Sequence, residues 1–352
     1  MKSQVYFTKN PDRADQLFEA AGFDQIIKKE DLVAVKVHFG ERGNTAFVKP
    51  ERIKPLIKKI KAYKGRPFLT DANTIYKGSR SDALSHLQTA FDHGFTLGKV
   101  QAPVIIADGL EGHNYVKVSV NLKHFKEVYL GAVVLEADAL LVISHFKGHE
   151  LTGFGGAIKN VGMGFGARAG KQQMHAEVRP QVKEEICTGC GNCLKHCPTE
   201  AISFTKNQKA LIDLAKCIGC AECIASCRYG ALSVSWAGSS DSLQEKMVEY
   251  MFGVLKNFKK KVGFVNFITD VSPNCDCYDF NDPPIVPDVG VLASQDPVAI
   301  DQASVDLVNQ AEGKVKASDK FKALWPGINW ETQLIYAEKL GLGSRNYELV
   351  IK

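Results

Sequence analysis

The chain has 352 residues, 45% of them apolar and 24% charged, with a formal net charge of +5. Such values belong to an ordinary soluble globular protein of two to three domains, and so small a charge argues against an extensive nucleic-acid surface. No apolar run approaches the roughly 20 residues that span a bilayer, and residues 1–7 lack the apolar stretch of a signal peptide, so no membrane contact and a cytoplasmic location are expected.

Residues 1–179 alternate strand and helix signals. Gln4-Val5-Tyr6-Phe7 reads as a strand leading into a helix opened by Asn10-Pro11, a cap followed by proline in the first turn. Leu32 to Val37 is a strand, the stretch from Pro50 to Tyr63 a helix, and Pro67 to Thr70 the next strand. A helix from Ser81 to His93 follows, then strands at Val104 to Ala107 and Ala139 to Ile143. Near-continuous apolar strands separated by helices predict a mostly parallel sheet with helices on both faces. Ligands of such sheets lie beyond the carboxyl ends of the strands. The polar loops there are His38 to Thr45, Asp71-Ala72-Asn73-Thr74 and Ser144 to Glu150. Solvated surface loops are the plain alternative for each.

His149 to Lys171 is glycine-rich and holds Gly155, Gly156, Gly162, Gly164, Gly166 and Gly170 with Lys159 and Arg168; His175 follows. It is neither a Walker loop nor a dinucleotide fingerprint, and His149-Glu150 does not extend to a zincin motif. Two readings stand: an anion site built from backbone N–H groups with Lys159, Arg168 and Lys171, or a tight turn in which glycine allows positive φ and close backbone approach.

Residues 180–237 read as an inserted module. Cys187-x-x-Cys190-x-x-Cys193-x-x-x-Cys197-Pro198 is repeated as Cys217-x-x-Cys220-x-x-Cys223-x-x-x-Cys227. This is the bacterial ferredoxin run, in which three cysteines hold one four-iron cluster and the fourth crosses to the other. Cys187, Cys190, Cys193 and Cys227 are assigned to one 4Fe-4S cluster, and Cys217, Cys220, Cys223 and Cys197 to the second. Zinc also takes thiolates, but a zinc site closes with four ligands and does not need this crossed pattern. Short alternating segments at Ala201 to Phe204 and Ala231 to Val234 suit a ferredoxin-like α+β module. Gly189, Gly191, Gly219 and Ala221 leave room for peptide N–H groups to reach cluster sulfurs. Arg228 replaces the proline that follows Cys197 and sets a cation beside Cys227. Clusters need a reducing compartment.

Residues 238–352 resume the α/β pattern. A helix is expected from Ser242 to Phe258, a strand from Val262 to Phe267, and apolar pairs at Ile285-Val286 and Val289 to Leu292 bracket Pro287-Asp288. Asp296-Pro297 caps a helix to Gln310, and Thr332 to Leu340 makes another. Cys275 and Cys277, flanked by acidic residues, would form a strained disulfide ill suited to a reducing cell; three readings stand: an additional metal site completed by imidazole from His145 or His149, a redox dithiol fed by the clusters, or two free thiols in a turn.

Taken in order, Val37-His38-x-Gly40-Glu41, Phe68-Leu69-Thr70-Asp71-x-Asn73-Thr74, His145 to His149, Gly155 to Asn160, the cysteine runs, Cys275-Asp276-Cys277, Pro287-Asp288 and Asp296 to Asp301 are similar to a family of uncharacterised iron–sulfur centre proteins of bacteria and archaea. The resemblance covers essentially the whole chain and implies two clusters and a shared site of unassigned chemistry. More faintly, His149, Lys159 and His175 are spaced as in the nickel-pincer lactate racemase, where the resemblance implies a cofactor-bearing lysine and a nickel-ligating histidine.

Three functions are carried forward. The first is an oxidoreductase passing electrons from two clusters to a small anionic substrate or metal centre in a pocket of His38, Asn73, His145, Gly155 and Gly156, with His149, Lys159 and His175 as catalytic candidates and a redox partner protein as donor. The second is a non-enzymatic electron carrier or cluster-handling protein. The third is a metal-cofactor racemase or epimerase.

Overall fold

The computed structural model describes residues 2–75, 78–175, 180–217, 223, 227, 229–234 and 239–352; the expected ligand Cys220, with Gly219, Ala221 and Arg228, lies outside them. Strands β1 (Ser3–Thr8), β2 (Leu32–Val37), β3 (Arg66–Asp71), β4 (Val104–Ile106), β5 (Ala139–His145), β6 (Val262–Ile268), β7 (Gly290–Ser294) and β8 (Tyr347–Ile351) form one sheet in the order β8-β1-β7-β6-β5-β2-β3-β4. From β6 to β4 every pairing is parallel, as is β1 with β8. Only β7 runs against its neighbours β1 and β6. The mostly parallel α/β sheet expected from the alternating pattern is therefore present.

Alternation within each strand explains why the sheet is covered twice. Ala34, Leu140, Val142 and Phe264 belong to one apolar core, and Val33, Val35, Leu141, Ile143, Val265 and Phe267 to the other. Helix α1 (Pro50–Ala62) buries Ile53, Leu56, Ile57 and Ile60 on the second face, where α2 (Ala83–Asp92) adds Ala83 and Ala90. Asp82 caps α2 by accepting from the Ser85 N–H at 2.9 Å. The first face carries α3 (Ala157–Phe165), α5 (Ser239–Phe258), α6 (Pro297–Gln310) and α7 (Glu331–Lys339), with the short α4 (Arg168–His175) following α3.

Several elements differ from expectation. The helix expected after Asn10 is a 3-10 turn, Pro11–Gln16, followed by two four-residue helices. The hairpin Tyr115–Ser119 with Glu127–Gly131 and the edge strand β8 were not anticipated. The glycine-rich stretch is largely helical. A β-carbon at Gly162 would lie 2.2 Å from the Met247 carbonyl oxygen of α5, and one at Gly164 would lie 2.3 Å from Lys36 Cε. Those glycines serve close packing of α3; between Gly153 and Gly170 only Gly153 takes positive φ.

Between residues 180 and 234, Pro180–Val182 pairs with Leu232–Val234 and Ile202–Phe204 with Ala210–Ile212, each antiparallel. A separate small apolar cluster gathers Cys187, Cys193, Cys197 and Cys223 with Ala201, Ile202, Ala210, Ala231 and Leu232. Among the described residues no helix is long and apolar enough to cross a membrane.

Candidate active site

The parallel strands β2, β3, β5 and β6 end along one edge, so His38, Asp71, His145 and the segment after Ile268 meet there. Helix α3 closes the space from above the first face. The result is a cavity of about 70 Å³ for the centres of water-sized molecules, walled by cations, imidazoles and the two late cysteines. It has room for a few waters or one small ligand.

Cations dominate the wall. Lys36 projects from β2 on the same face as Ala34 and is wholly buried; its Nζ lies 3.0 Å from Asp71 Oδ1 and donates to Asn160 Oδ1 at 2.7 Å. Burial lowers the Lys36 pKa, against the pull of Asp71. Burial opposes the Asp71 charge too, but Lys36 and the histidines beside it hold that carboxyl far below its ordinary value. Arg80, also buried, pairs with Glu41 at 3.0 Å and reaches His38 Nε2 at 2.9 Å. Burial and that guanidinium push the His38 pKa well down. Lys171 donates to the Gly166 carbonyl at 2.6 Å and is lowered by burial to about 8. Lys147 and Lys159 flank Gly155, and Lys147 makes no ion pair among the described residues.

Cys275 and Cys277 face these cations with sulfurs 3.1 Å apart. Lys159 Nζ stands 3.7 Å from Cys275 Sγ. The contact with Cys277 lowers the Cys275 pKa well below the usual thiol value, against burial and with Lys159, Lys147 and His149 assisting. The same contact, together with burial, raises Cys277. Burial disfavours the Lys159 ammonium, yet Cys275, Cys277 and Glu150 hold its pKa above the ordinary value.

The imidazoles have distinct situations. His145 Nδ1 faces both Asp276 oxygens at 2.8 and 2.9 Å, and its Nε2 faces the Thr269 carbonyl at 2.7 Å. With both nitrogens engaged, His145 lines the cavity as a support for the Cys275–Cys277 loop; it is one of the two imidazoles that the metal reading of that pair offered. His149 Nδ1 accepts from the Leu151 N–H at 3.1 Å, which leaves the proton on Nε2, 3.7 Å from Glu150 Oε1. His175 lines the cavity as anticipated; burial and the neighbouring Lys159 and His149 push its pKa down to about 3, so it is neutral.

Two further expectations need correction. Asn73 does not face the cavity: its Nδ2 donates to the Gly109 carbonyl at 2.8 Å and its Oδ1 lies 3.4 Å from His86 Nδ1. The Gly155-Gly156 turn is not an open anion cradle, because Asp301 fills it. Asp301 accepts from the Ala157 N–H at 2.7 Å, the Ile158 N–H at 2.9 Å and Asn266 Nδ2 at 2.7 Å. A β-carbon at Gly156 would fall 2.2 Å from that carboxylate. The motif Asp296 to Asp301 thus caps two helices, α6 through Asp296 and α3 through Asp301. Lys36 and Arg80 were missed by sequence reasoning. A lysine inside an otherwise apolar strand was a usable signal; nothing marked Arg80.

A second cavity adjoins the loop on its other side. This cleft, of about 550 Å³, is lined by Cys227 and Leu232 together with Asn274, Tyr278, Glu150 and Trp325. Tyr278 donates to Glu150 Oε1 at 2.6 Å, while the buried Glu150 Oε2 has no hydrogen-bond partner among the described residues. A third, smaller cavity is lined by Cys187, Cys190, Cys193 and Cys227, with Gly189 and Gly191. Burial, then Cys227, Cys190 and Cys187, push the Cys193 thiol up to about 11. Backbone N–H groups point at neighbouring sulfurs, Ala201 to Cys197 at 3.2 Å and Ala210 to Cys187 at 3.5 Å. Among the described residues no three His, Cys, Asp or Glu side chains converge closely enough to hold a single metal ion.

No curated protein matches the sequence significantly. The lactate racemase apoprotein from Thermoanaerobacterium thermosaccharolyticum is similar in structure at 10% identity and a TM-score of 0.39, over 77% of this chain and 51% of that one. A protein from Thermotoga maritima is similar at 12% identity and a TM-score of 0.39, over 73% and 49%. The chain thus spans about half the length of each. A family model described as a domain of unknown function, DUF362, matches residues 33–306, and the chain belongs to that family.

Proposed function

We propose that the chain is an iron–sulfur oxidoreductase that delivers electrons to a small anionic substrate in the cationic cavity. Cys187, Cys190, Cys193 and Cys227 would hold one four-iron cluster, and Cys217, Cys220, Cys223 and Cys197 the other. The residues suit such a group. Burial and three neighbouring cysteines around one cavity push the Cys193 thiol up, which calls for positive charge among them, and backbone N–H groups aimed at sulfur stabilise cluster thiolates. When bound, the clusters supply one-electron transfer.

The observation that carries the reading is the shared cleft: Cys227 lies on one wall and Asn274, the neighbour of Cys275, on another. Inside the cavity Lys159 and Lys147 bind and orient an anion, with Lys36 and Arg80 held in place by Asp71 and Glu41. Cys277, with its sulfur 3.1 Å away, and the Lys159 ammonium, 3.7 Å away, stand beside the Cys275 sulfur as proton carriers. A redox partner protein supplies electrons in a reducing, cytoplasmic setting. A pure carrier would need no such buried polar cavity.

Anaerobic reconstitution with iron and sulfide counting, then spectroscopy of the reduced protein, tests this reading. About eight irons per chain and reduced-cluster signals are expected for two four-iron groups; zinc in place of iron overturns it. A second reading, a covalent metal cofactor on Lys159, draws on the convergence of His149, Lys159 and His175 in one cavity. Intact-mass measurement decides it, since an added nucleotide on Lys159 is unmistakable.

A further inference from the structure

We propose that Cys275 and Cys277 are a redox-active dithiol that closes to a disulfide, which makes the substrate an anionic acceptor of two electrons. This deepens the reading of the cavity as an electron-accepting site, and its chemistry is testable without turnover.

Three features of the loop support it. The sulfurs stand 3.1 Å apart, so reaching a disulfide length of about 2.05 Å takes roughly 1 Å of approach. The flanks are anchored: Ser272 Oγ donates to the Asn274 carbonyl at 2.7 Å, and Asn274 Nδ2 to Asp282 at 2.6 Å. Between the cysteines, Asp276 is clamped by His145 and its carbonyl accepts from the Glu41 N–H at 3.0 Å. Both sulfurs also face the cavity, with a cation beside Cys275 and His38 Nε2 at 3.5 Å from Cys277. Two sulfurs this close, one beside a cation and both presented to a ligand space, are the arrangement that thiol–disulfide exchange uses.

The step balances as follows. The Cys275 thiolate attacks one atom of a heteroatom–heteroatom bond in the anion, forming a sulfur–acceptor bond and releasing the other fragment with the electron pair. Cys277 then loses its proton to that fragment and displaces the acceptor from Cys275, so that the S–S bond forms and the second fragment leaves reduced. Return to thiolate and thiol takes two electrons and one proton, provided by a low-potential one-electron donor.

The test uses the full-length, anaerobically purified protein. It is exposed to diamide or to mixtures of reduced and oxidised dithiothreitol, trapped with N-ethylmaleimide in denaturant, and mapped by peptide mass. A reversible Cys275–Cys277 disulfide, lighter by two hydrogens and blocked in Cys275→Ser, is expected. Lys159→Met should slow closure at pH 7 roughly tenfold by removing the cation beside the thiolate. Full labelling of both cysteines at every oxidant ratio overturns the proposal, and so does pairing of either with a cysteine of residues 187–227. Should Cys275→Ser fail to fold, Cys277→Ala serves, in which Cys275 should stay fully labelled at every oxidant ratio. Iron counted on the same sample separates the two ideas: a disulfide without iron sinks the electron-transfer reading alone, and iron without a disulfide sinks this one.

Discussion

His86 offers a clean measure of how strongly the site edge is desolvated. It sits in α2, fully buried, with Nε2 3.8 Å from Asp71 and its ring edge-on to Phe39 at 5.6 Å between centroids. Burial, against the pull of Asp71 and with Arg80 adding to it, depresses its pKa from 6.5 to about 3. The unfolded chain therefore binds a proton below about pH 6.5 that the folded chain refuses. Stability from this group is complete above that pH and is lost as the pH falls toward 3. Between pH 7.5 and 4.5 the loss is about two pH units at ~1.4 kcal/mol each, or about 3 kcal/mol. Urea unfolding of the wild type and His86→Gln at both pH values isolates this group, because other titrations cancel in the double difference. The wild type should lose about 3 kcal/mol more than the variant over that interval. Parallel losses would show that His86 is solvated, and the picture of a dry edge behind Asp71 would fall with it.

Other outcomes follow from the same contacts. Cys227→Ser and Cys197→Ser should each remove roughly half of the bound iron, since each is the crossed ligand of a different cluster; loss of no iron in either refutes the crossed assignment. Asp301→Ala strips three buried donors of their acceptor and should cost about 3 kcal/mol or more in urea unfolding, whereas a change under about 0.5 kcal/mol would mean that α3 is not capped by that carboxylate. Gly162→Leu should lower the melting temperature by several degrees, because its β-carbon would meet the Met247 carbonyl at 2.2 Å; an unchanged melting curve denies the tight α3–α5 packing.

What the sequence disclosed, and what it hid, divides along the range of the interactions involved. The strand from Leu32 to Val37 and the helix capped by Asp296-Pro297 are local: apolar content, a cap and a proline suffice, and both stand where they were expected. Cys187, Cys190, Cys193 and Cys227, which spacing alone groups, line one small cavity. The glycine-rich stretch misled because two of its glycines answer to distant partners, Gly162 to Met247 and Gly164 to Lys36, and not to their own turn. Asp301 shows the same effect from the other side. Read alone it is one acid on a helix, yet across 144 positions it occupies the backbone donors that an external anion would have used. Under the proposed function anion binding therefore falls to Lys147 and Lys159, which flank the filled turn, with Lys159 Nζ 3.7 Å from Cys275 Sγ. That displacement from backbone to side chains would set the Cys275–Cys277 pair, and not a phosphate-type cradle, beside the bound anion.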